Sequence, residues 1–564
     1  MSTTERPWLT SYAKGVPADI PTPTQTLVEM FEESARRYRG RAALDFFGQS
    51  TTYGELQNEV LRVANGLRKL GVKHGDRVAL VMPNSPQHVV AFYAALRLGA
   101  IVVEHNPLYT ERELRHQFED HGAAVAIVWD KLATTVLDFP VDVRPTSVVS
   151  VDITRGMPLR LRFALRLPIP KSRTSRAALT SGRRARGTTD WDDLVSSRPL
   201  PRRHPRPTLQ DVAVLQYTSG TTGNPKGAML THANLRANAS QGQAWIPGLR
   251  PGREVVYAVL PMFHAYGLTL CLTFAISIGA RLVLFPKFDP ELVLSAMKRT
   301  PATFLPAVPP IYERLARASI DRKASLRSIR YAISGAMSLP LSTVELWEKT
   351  TGGLLVEGYG MTEASPVALG NPMGPSRRPG TVGVAFPSTD IRVVDPDDPT
   401  VDRAPGEEGE LLVKGPQVFG GYWNRPNETR ETLLEGGWLR TGDIVRVDAE
   451  GFVTIVDRIK ELIVTGGFNV APSEVEAALL TDPSIADVAV VGLPSAHGGE
   501  DVVAAVVLAP GATLDVEAIR SLARSMLAAY KVPKRVVAVD ELPRSLIGKV
   551  LRRQVRQQLQ PAKG

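Results

Sequence analysis

YTSGTTGNPKG, residues 217–227, is the stretch from which the rest of the chain can be read. It sets Gly220, Gly223 and Gly227 among Thr218, Ser219, Thr221 and Thr222, with Lys226 as the one cation. Apolar Val212-Ala-Val-Leu precedes it, as a buried strand would. Glycine lets backbone N–H groups approach an anion with no side chain in the way. Hydroxyls and a lysine add donors and positive charge. The stretch therefore suits a loop that cradles a polyphosphate. A Walker A loop needs G-x-x-x-x-G-K-[ST]. Gly220 and Gly223 are too close for that, and Gly227 stands where Ser or Thr should follow Lys226. A flexible Gly/Thr surface loop has the same composition, so residue order has to decide.

The chain's 564 residues allow more than one domain, and 43% hydrophobic with 22% charged residues is a globular composition. The opening MSTTERPWLTSYAKG has no apolar core of a secretory signal. The longest uncharged run, Val255 to Ala280, is interrupted by Pro261, His264 and Gly267. Two buried segments of an α/β core are expected there rather than a membrane span. The single cysteine, Cys271, excludes an internal disulfide and lies in an apolar stretch, so an inert core thiol is expected. These features fit a cytoplasmic protein.

The formal net charge of +10 is concentrated in one place. Between Thr154 and Pro207 there are 14 Lys and Arg against 3 Asp, which leaves the remainder close to neutral. Met157 to Ile169 mixes Leu and Phe with arginines, as a segment at a membrane interface does. The Ser/Arg/Ala-rich continuation to Gly187 reads as a mobile stretch. A solvated basic loop is the plain alternative. Nucleic-acid binding is not expected, because interleaved aromatics are missing.

Elsewhere helical and strand patterns alternate, which predicts a parallel sheet covered on both faces. Thr26 and Glu29 stand as a capping box before a helix to Arg37. A helix runs from Tyr53 to about Leu70, a strand spans Asp76 to Met82, and Thr231 caps the helix after the loop. Gly380 to Val456 is turn-rich and strand-like. Asp457-Arg-Ile-Lys-Glu reads as an exposed linker before a compact α/β module.

The order of residues in the loop resembles the phosphate loop of the adenylate-forming superfamily, which includes acyl-CoA synthetases, luciferases and peptide-synthetase adenylation domains. Pro261-Met-Phe-His-Ala-Tyr-Gly resembles that family's aromatic-His segment. Ser334-Gly-Ala336 and Gly358-Tyr-Gly-Met-Thr-Glu363 resemble its adenine-site turns. Trp438 to Asp443, Asp457-Arg458, Gly466 to Pro472 and Pro543 to Lys549 follow in the family's order.

The resemblance implies a fold of two doubly wound α/β lobes with a β-rich subdomain, residues 1–456, and a small mobile α+β domain, residues 457–564. It implies an acid–thiol ligase that joins a fatty, medium- to long-chain acid to coenzyme A through acyl-AMP. ATP and Mg²⁺ are required, and coenzyme A is the second substrate. Lys549, Thr362, Glu363 and His264 are implied in the reaction, Glu363 as the magnesium ligand and His264 as a gate over the acyl pocket.

ATP and AMP fall to Thr218, Ser219, Gly220, Thr221, Thr222, Gly223 and Lys226. Gly335, Ala336, Glu357, Gly358, Tyr359, Gly360, Met361, Asp443 and Arg458 complete that set. Gly466, Gly467, Phe468 and Asn469 are implied at the coenzyme A tunnel. Phe263, Tyr266, Gly267 and Leu268 are implied at the acyl pocket, and Asp457 as the hinge. Leu268 stands where some long-chain members carry a gating tryptophan, and Ser545 where Thr is commoner. An acyl-AMP ligase that loads a carrier protein, an aryl- or branched-acid ligase and a non-catalytic membrane-bound acyl-binding protein are the alternatives. Contact with an anionic membrane through residues 157–187 is expected, and a homodimer is left open.

Overall fold

The computed structural model describes residues 6–218, 225–465, 468–495, 500–545 and 548–560. Among them the first strands are β1 (Ala42–Phe46) and β2 (Gln49–Thr52). Then come β3 (Arg77–Val81), β4 (Ile101–His105), β5 (Val125–Trp129), β6 (Ser147–Val151), β7 (Thr189–Asp190), β8 (Val212–Thr218) and β9 (Lys226–Thr231). A further set is β10 (Val255–Ala258), β11 (Arg281–Leu284), β12 (Phe304–Ala307), β13 (Tyr331–Ser334), β14 (Leu354–Gly360), β15 (Val367–Gly370) and β16 (Val384–Ala385). β17 (Asp390–Val394), β18 (Glu408–Lys414), β19 (Leu433–Leu434), β20 (Trp438–Val447) and β21 (Val453–Arg458) follow. The last are β22 (Ile463–Thr465), β23 (Phe468–Val470), β24 (Ile485–Pro494), β25 (Glu500–Leu508) and β26 (Arg535–Ala538).

The chain divides into two compact units, residues 1–390 with 413–439, and residues 391–412 with 440–564. In the first, the strand order β7-β6-β5-β3-β4-β8-β9 makes a sheet that is parallel except for β9. A second sheet, β16-β15-β14-β13-β12-β10-β11-β1-β2, is parallel in its centre and antiparallel at both ends. β4 and most of β3 are buried, as parallel strands between helical layers must be. These are the two α/β lobes that the alternating pattern predicts.

Helices begin where the sequence supplies caps. Thr26, Thr52, Thr110 and Thr231 each accept from the third helical N–H, while Glu29, Glu55, Glu113 and Asn234 reach back. Each such box is worth about 1 kcal/mol. Among the described residues no helix is long and apolar enough to cross a membrane. Val255–Ala280 resolves into β10 and a buried helical run from Ala265 to Ser277. Cys271 lies in that run, and burial pushes its thiol up to about 12.

In the second unit β24, β25 and β26 form one sheet and β22 pairs with β23. Val488, Val490, Val502 and Val506 pack under the helices Pro472–Leu479 and Val516–Met526. Residues 440–456 cluster with this unit. The reason is that β20 and β21 pair directly, Asp443 opposite Arg458 and Ile444 opposite Asp457.

Two expectations need correction. Asp457 is not in an exposed linker: it sits in β21 and is 5% exposed. A run of charges read as solvated here conceals one carboxylate with internal partners. The Ser/Arg/Ala-rich stretch is not structureless either, because Pro170–Leu179 is a helix. Trp129 Nε1 donates to Leu179 O at 2.9 Å and Lys131 Nζ to Ala177 O at 2.7 Å, so its C-terminal end is docked on the edge of the first lobe.

Candidate active site

The phosphate-loop stretch lies between two antiparallel strands, with Thr218 opposite Lys226 and Tyr217 opposite Gly227. Ser219, Gly220, Thr221, Thr222 and Gly223 lie outside the described residues. Lys226 begins β9, and its outer edge is met by residues 421–423. Met229 N donates to Gly421 O at 2.9 Å, and Trp423 N to Gly227 O at 2.8 Å. This pairing sets Tyr422 beside the lysine. Lys226 Nζ stands 5.2 Å from the centre of the Tyr422 ring.

The Tyr422 hydroxyl donates to Glu363 Oε1 at 2.6 Å. Burial and the Glu363 charge push the phenol pKa up, so it stays protonated and keeps donating. Phe419 N also donates to the Glu363 carbonyl at 2.8 Å. Tyr422 thus joins the implied phosphate lysine to the implied metal ligand. No motif in the chain marked it. A signal existed in Gly420-Gly-Tyr-Trp, a tight aromatic turn, but its partners are distant in sequence.

Gly335 and Ala336 follow β13, and Glu357, Gly358, Tyr359 and Gly360 belong to β14. These are the C-terminal ends of neighbouring parallel strands, where ligands of α/β sheets are taken. A Cβ on Gly335 would lie 3.2 Å from Tyr266 Cζ and 3.4 Å from Gly358 O, so the three meet in one place. A Cβ on Gly360 would fall 2.0 Å from Pro366 O, which only glycine avoids. Ala336 is held at φ +68, a strained conformation for a residue with a Cβ. Met361 leads into the single turn Thr362–Ala364 that carries Glu363. Burial raises the Glu357 carboxyl to about 8, so at neutral pH it is largely uncharged and suits a neutral, hydrogen-bonding role.

The aromatic-His segment packs beside these turns. Tyr266 donates its hydroxyl to Ile333 O at 2.7 Å and Ala307 O at 3.2 Å. His264 Nδ1 accepts from Tyr266 N at 3.3 Å, and burial holds its pKa near 4, which leaves it neutral. The Phe263 carbonyl accepts from Gln216 Nε2 at 2.7 Å, tying the segment to β8. Gly267 and Leu268 are buried where the helical run begins.

An apolar void of about 10 Å³ lies nearby, lined by Gly242, Trp245, Leu270, Ile333, Gly358 and Phe386 among others. Phe263, Tyr266, Gly267 and Leu268 are not among its lining residues. Trp245 and Phe386, which both line it, stack on each other with ring centres 4.5 Å apart. Sequence reasoning missed Gly242 and Trp245, both on the helix His232–Trp245, and Phe386, which is distant from them in sequence.

In the second unit, Asp443 is buried and its Oδ1 pairs with Arg458 Nε at 3.0 Å across the β20–β21 ladder. Asp457 Oδ1 accepts from Arg458 N at 2.7 Å, and its Oδ2 from Ser473 N and Oγ, both at 3.0 Å. The proposed hinge residue therefore also fixes the start of the helix Pro472–Leu479. Lys549 is part-buried, and Ser545 Oγ accepts from its backbone N–H at 3.1 Å. Burial, then the neighbouring Arg458 cation, lowers the Lys549 pKa to about 8, against opposing pulls from Glu461 and Asp443. Gly466 and Gly467 lie outside the described residues; Phe468 and Asn469 are on β23.

The AMP-binding enzyme family matches residues 31–423, and its C-terminal domain matches residues 474–549. The chain belongs to the AMP-binding enzyme family. This AMP-binding enzyme is 39% identical to the long-chain-fatty-acid–CoA ligase of Bacillus subtilis over 557 residues, 98% of each chain. It is 40% identical to the protein of that name from Salmonella typhimurium over 570 residues, 97% of each chain. The crystal structure of ATP-bound MatB from Rhodopseudomonas palustris matches with a TM-score of 0.81 at 30% identity, covering 95% of this chain and 99% of that one.

Among the described residues of this AMP-binding enzyme, no group of three or more His, Cys, Asp or Glu is placed to cage a metal. Magnesium does not need one, since it binds through one or two carboxylates, water and substrate phosphates. Buried Glu363, with a hard oxygen beside a protonated tyrosine, fits that mode.

Proposed function

We propose that the protein is an ATP-dependent acyl-CoA ligase acting on fatty acids, releasing AMP and pyrophosphate. In the first half-reaction a carboxylate oxygen attacks the α-phosphorus of ATP, and the bond to the β-phosphate oxygen breaks. Charge builds on the attacking and leaving oxygens and must be met by fixed donors. Lys226 and the loop it closes suit the β- and γ-phosphates. Glu363 would hold magnesium, whose charge would help neutralise the polyphosphate, with Thr362 beside it. Asp443 suits the ribose hydroxyls, with Arg458 orienting it, and Gly335, Ala336 and Glu357–Met361 suit the adenine. Lys549 then neutralises the carboxylate and α-phosphate as they combine.

In the second half-reaction the coenzyme A sulfur attacks the acyl carbon and AMP leaves. Lys549 has no part in that step, whereas the 466–469 loop would line the thiol's approach. We place residues 457–564 as the body that turns about Asp457 between the steps, a role in which backbone rotation matters more than side-chain contact. His264, uncharged, acts as a gate rather than a base.

The observation that carries the reading is the convergence of Lys226 and Glu363 on Tyr422. In this reading a phosphate-binding cation and a metal-binding carboxylate would stand at one place, which supports activation of an acid by ATP. The fatty-acid assignment rests on the end-to-end match to relatives bearing that name. We further assign a cytoplasmic location at the inner face of the membrane, reached through residues 157–187. A homodimer is compatible with this reading and not required by it. Pyrophosphate release over acids of graded length, with and without coenzyme A, tests the proposal. Thioester product separates it from an acyl-AMP ligase, and acid-dependent release from a non-catalytic binder.

A further inference from the structure

From Met157 to Gly187 the chain has nine Lys and Arg and no Asp or Glu. In the structure this segment gives four of its large apolar side chains to solvent. Leu159 and Phe163 are each 65% exposed, Leu167 51% and Ile169 48%. Leu159 and Phe163 are four apart on the short helix Leu159–Ala164, hence on one face. Neither that helix nor Pro170–Leu179 buries a single residue. Four large apolar side chains exposed within eleven residues are costly in water, and scattered single exposures do not explain them.

The cations around them are also unspent. Among the described residues Arg160, Arg162, Arg166, Lys171, Arg173 and Arg176 make no ion pair, whereas Arg155 and Arg184 pair with Asp190. Lys131, Arg173, Arg176, Ala177, Thr180 and Ser181 line an open cleft of about 390 Å³. Asp130 lies beneath it, and its Oδ2 is occupied by the Thr180 hydroxyl and by Ser181 N at 2.9 Å and Oγ at 3.0 Å. The cleft floor is thus pinned, Lys131 on its rim is held by Ala177 O, and Arg173 and Arg176 face it with no ion pair among the described residues.

We propose that this surface docks on a bilayer of anionic phospholipid. Headgroup phosphates would enter the cleft between Lys131, Arg173 and Arg176, and the acyl boundary would receive Leu159, Phe163, Leu167 and Ile169. Interfacial segments bind in this divided way, apolar area below and cations at the headgroups. Positive charge alone would suit any polyanion. Exposed Leu and Phe beside it select a lipid surface, since they gain nothing from a free phosphate or a nucleic acid. The proposal rests on the membrane-contact part of the functional reading. Its test reads binding without catalysis, so either can fail alone.

The test is co-sedimentation of the full chain with phosphatidylglycerol–phosphatidylcholine vesicles and with phosphatidylcholine vesicles. Binding to the anionic vesicles is expected to weaken about tenfold or more in Arg173→Glu/Arg176→Glu, each cation near the surface contributing on the order of a fivefold factor. Leu159→Ser/Phe163→Ser should weaken it as well, while soluble adenylation is retained in both variants, which also shows that they fold. Millimolar inorganic phosphate should leave vesicle binding intact. Equal binding to neutral vesicles, displacement by inorganic phosphate or unchanged binding in both variants would overturn the proposal.

Discussion

The Tyr422 hydroxyl donates to Glu363 Oε1 at 2.6 Å, and the same ring lies 5.2 Å beneath the Lys226 ammonium. One oxygen of the carboxylate is thereby held, and the carboxylate is fixed in orientation. A hydrogen bond to a charged group is worth about 1.5–3 kcal/mol. Tyr422→Phe keeps the ring under Lys226 and removes only this bond. The magnesium concentration that gives half-maximal pyrophosphate exchange should rise about tenfold, with KM for the fatty acid unchanged. An identical magnesium dependence would show that Tyr422 does not position Glu363.

Asp443 is buried and paired with Arg458 at 3.0 Å, and in the proposed role its carboxylate accepts from the ribose hydroxyls. Asp443→Asn should raise KM for ATP by about an order of magnitude. The 2′-deoxy nucleotide supplies an internal control. Wild type should prefer ATP to 2′-deoxy-ATP, and the variant should lose most of that preference. A preference retained in full would remove Asp443 from the ribose site.

Lys549 has its pKa lowered to about 8 by burial and by Arg458. In the proposed role the ionised form serves adenylation, so kcat/KM for ATP should fall as pH rises through about 8. Lys549→Arg should remove that limb if any activity remains, because a guanidinium stays charged. Stability runs the other way. The folded pKa lies below the unfolded value, so the fold disfavours the ammonium, and stability from this group rises between about pH 8 and 10.5. Lys549→Ala should abolish adenylation and largely spare thioester formation from supplied acyl-AMP. Equal loss of both steps would contradict its assignment.

Gly242 lines the apolar void, and a Cβ there would meet Phe274 at 3.4 Å, an ordinary contact. Gly242→Leu would more than fill so small a space and would block any chain that opens it, from the side of the helix His232–Trp245. The accepted acids should shift to shorter chains in a pyrophosphate-release profile. An unchanged profile would place the acyl chain elsewhere.

Much of this site was legible because its residues travel in short runs. The order of Tyr217–Gly227 pointed to the family that the match over residues 31–423 shows, and Thr26 with Glu29 located a helix start to the residue. Tyr422 was not legible, since only the pairing of residues 421–423 against β9 brings it to Lys226 and Glu363. Trp245 and Phe386 were hidden likewise, coming from separate elements that meet at 4.5 Å. Asp457 misled because charge signals solvent on average, whereas here three donors from Arg458 and Ser473 satisfy a buried carboxylate. The Pro170–Leu179 helix was missed because it buries no face of its own; Trp129 and Lys131 hold its C-terminal end through backbone carbonyls.

The central claim is that one polypeptide first makes acyl-AMP and then passes the acyl group to sulfur. Purified protein mixed with ATP, magnesium and a long-chain fatty acid, with coenzyme A added in a second step, tests it most directly. The account predicts acid-dependent pyrophosphate release in the first step and acyl-CoA with AMP in the second. Failure of every fatty acid to release pyrophosphate, or acyl-AMP that coenzyme A cannot discharge, would contradict it.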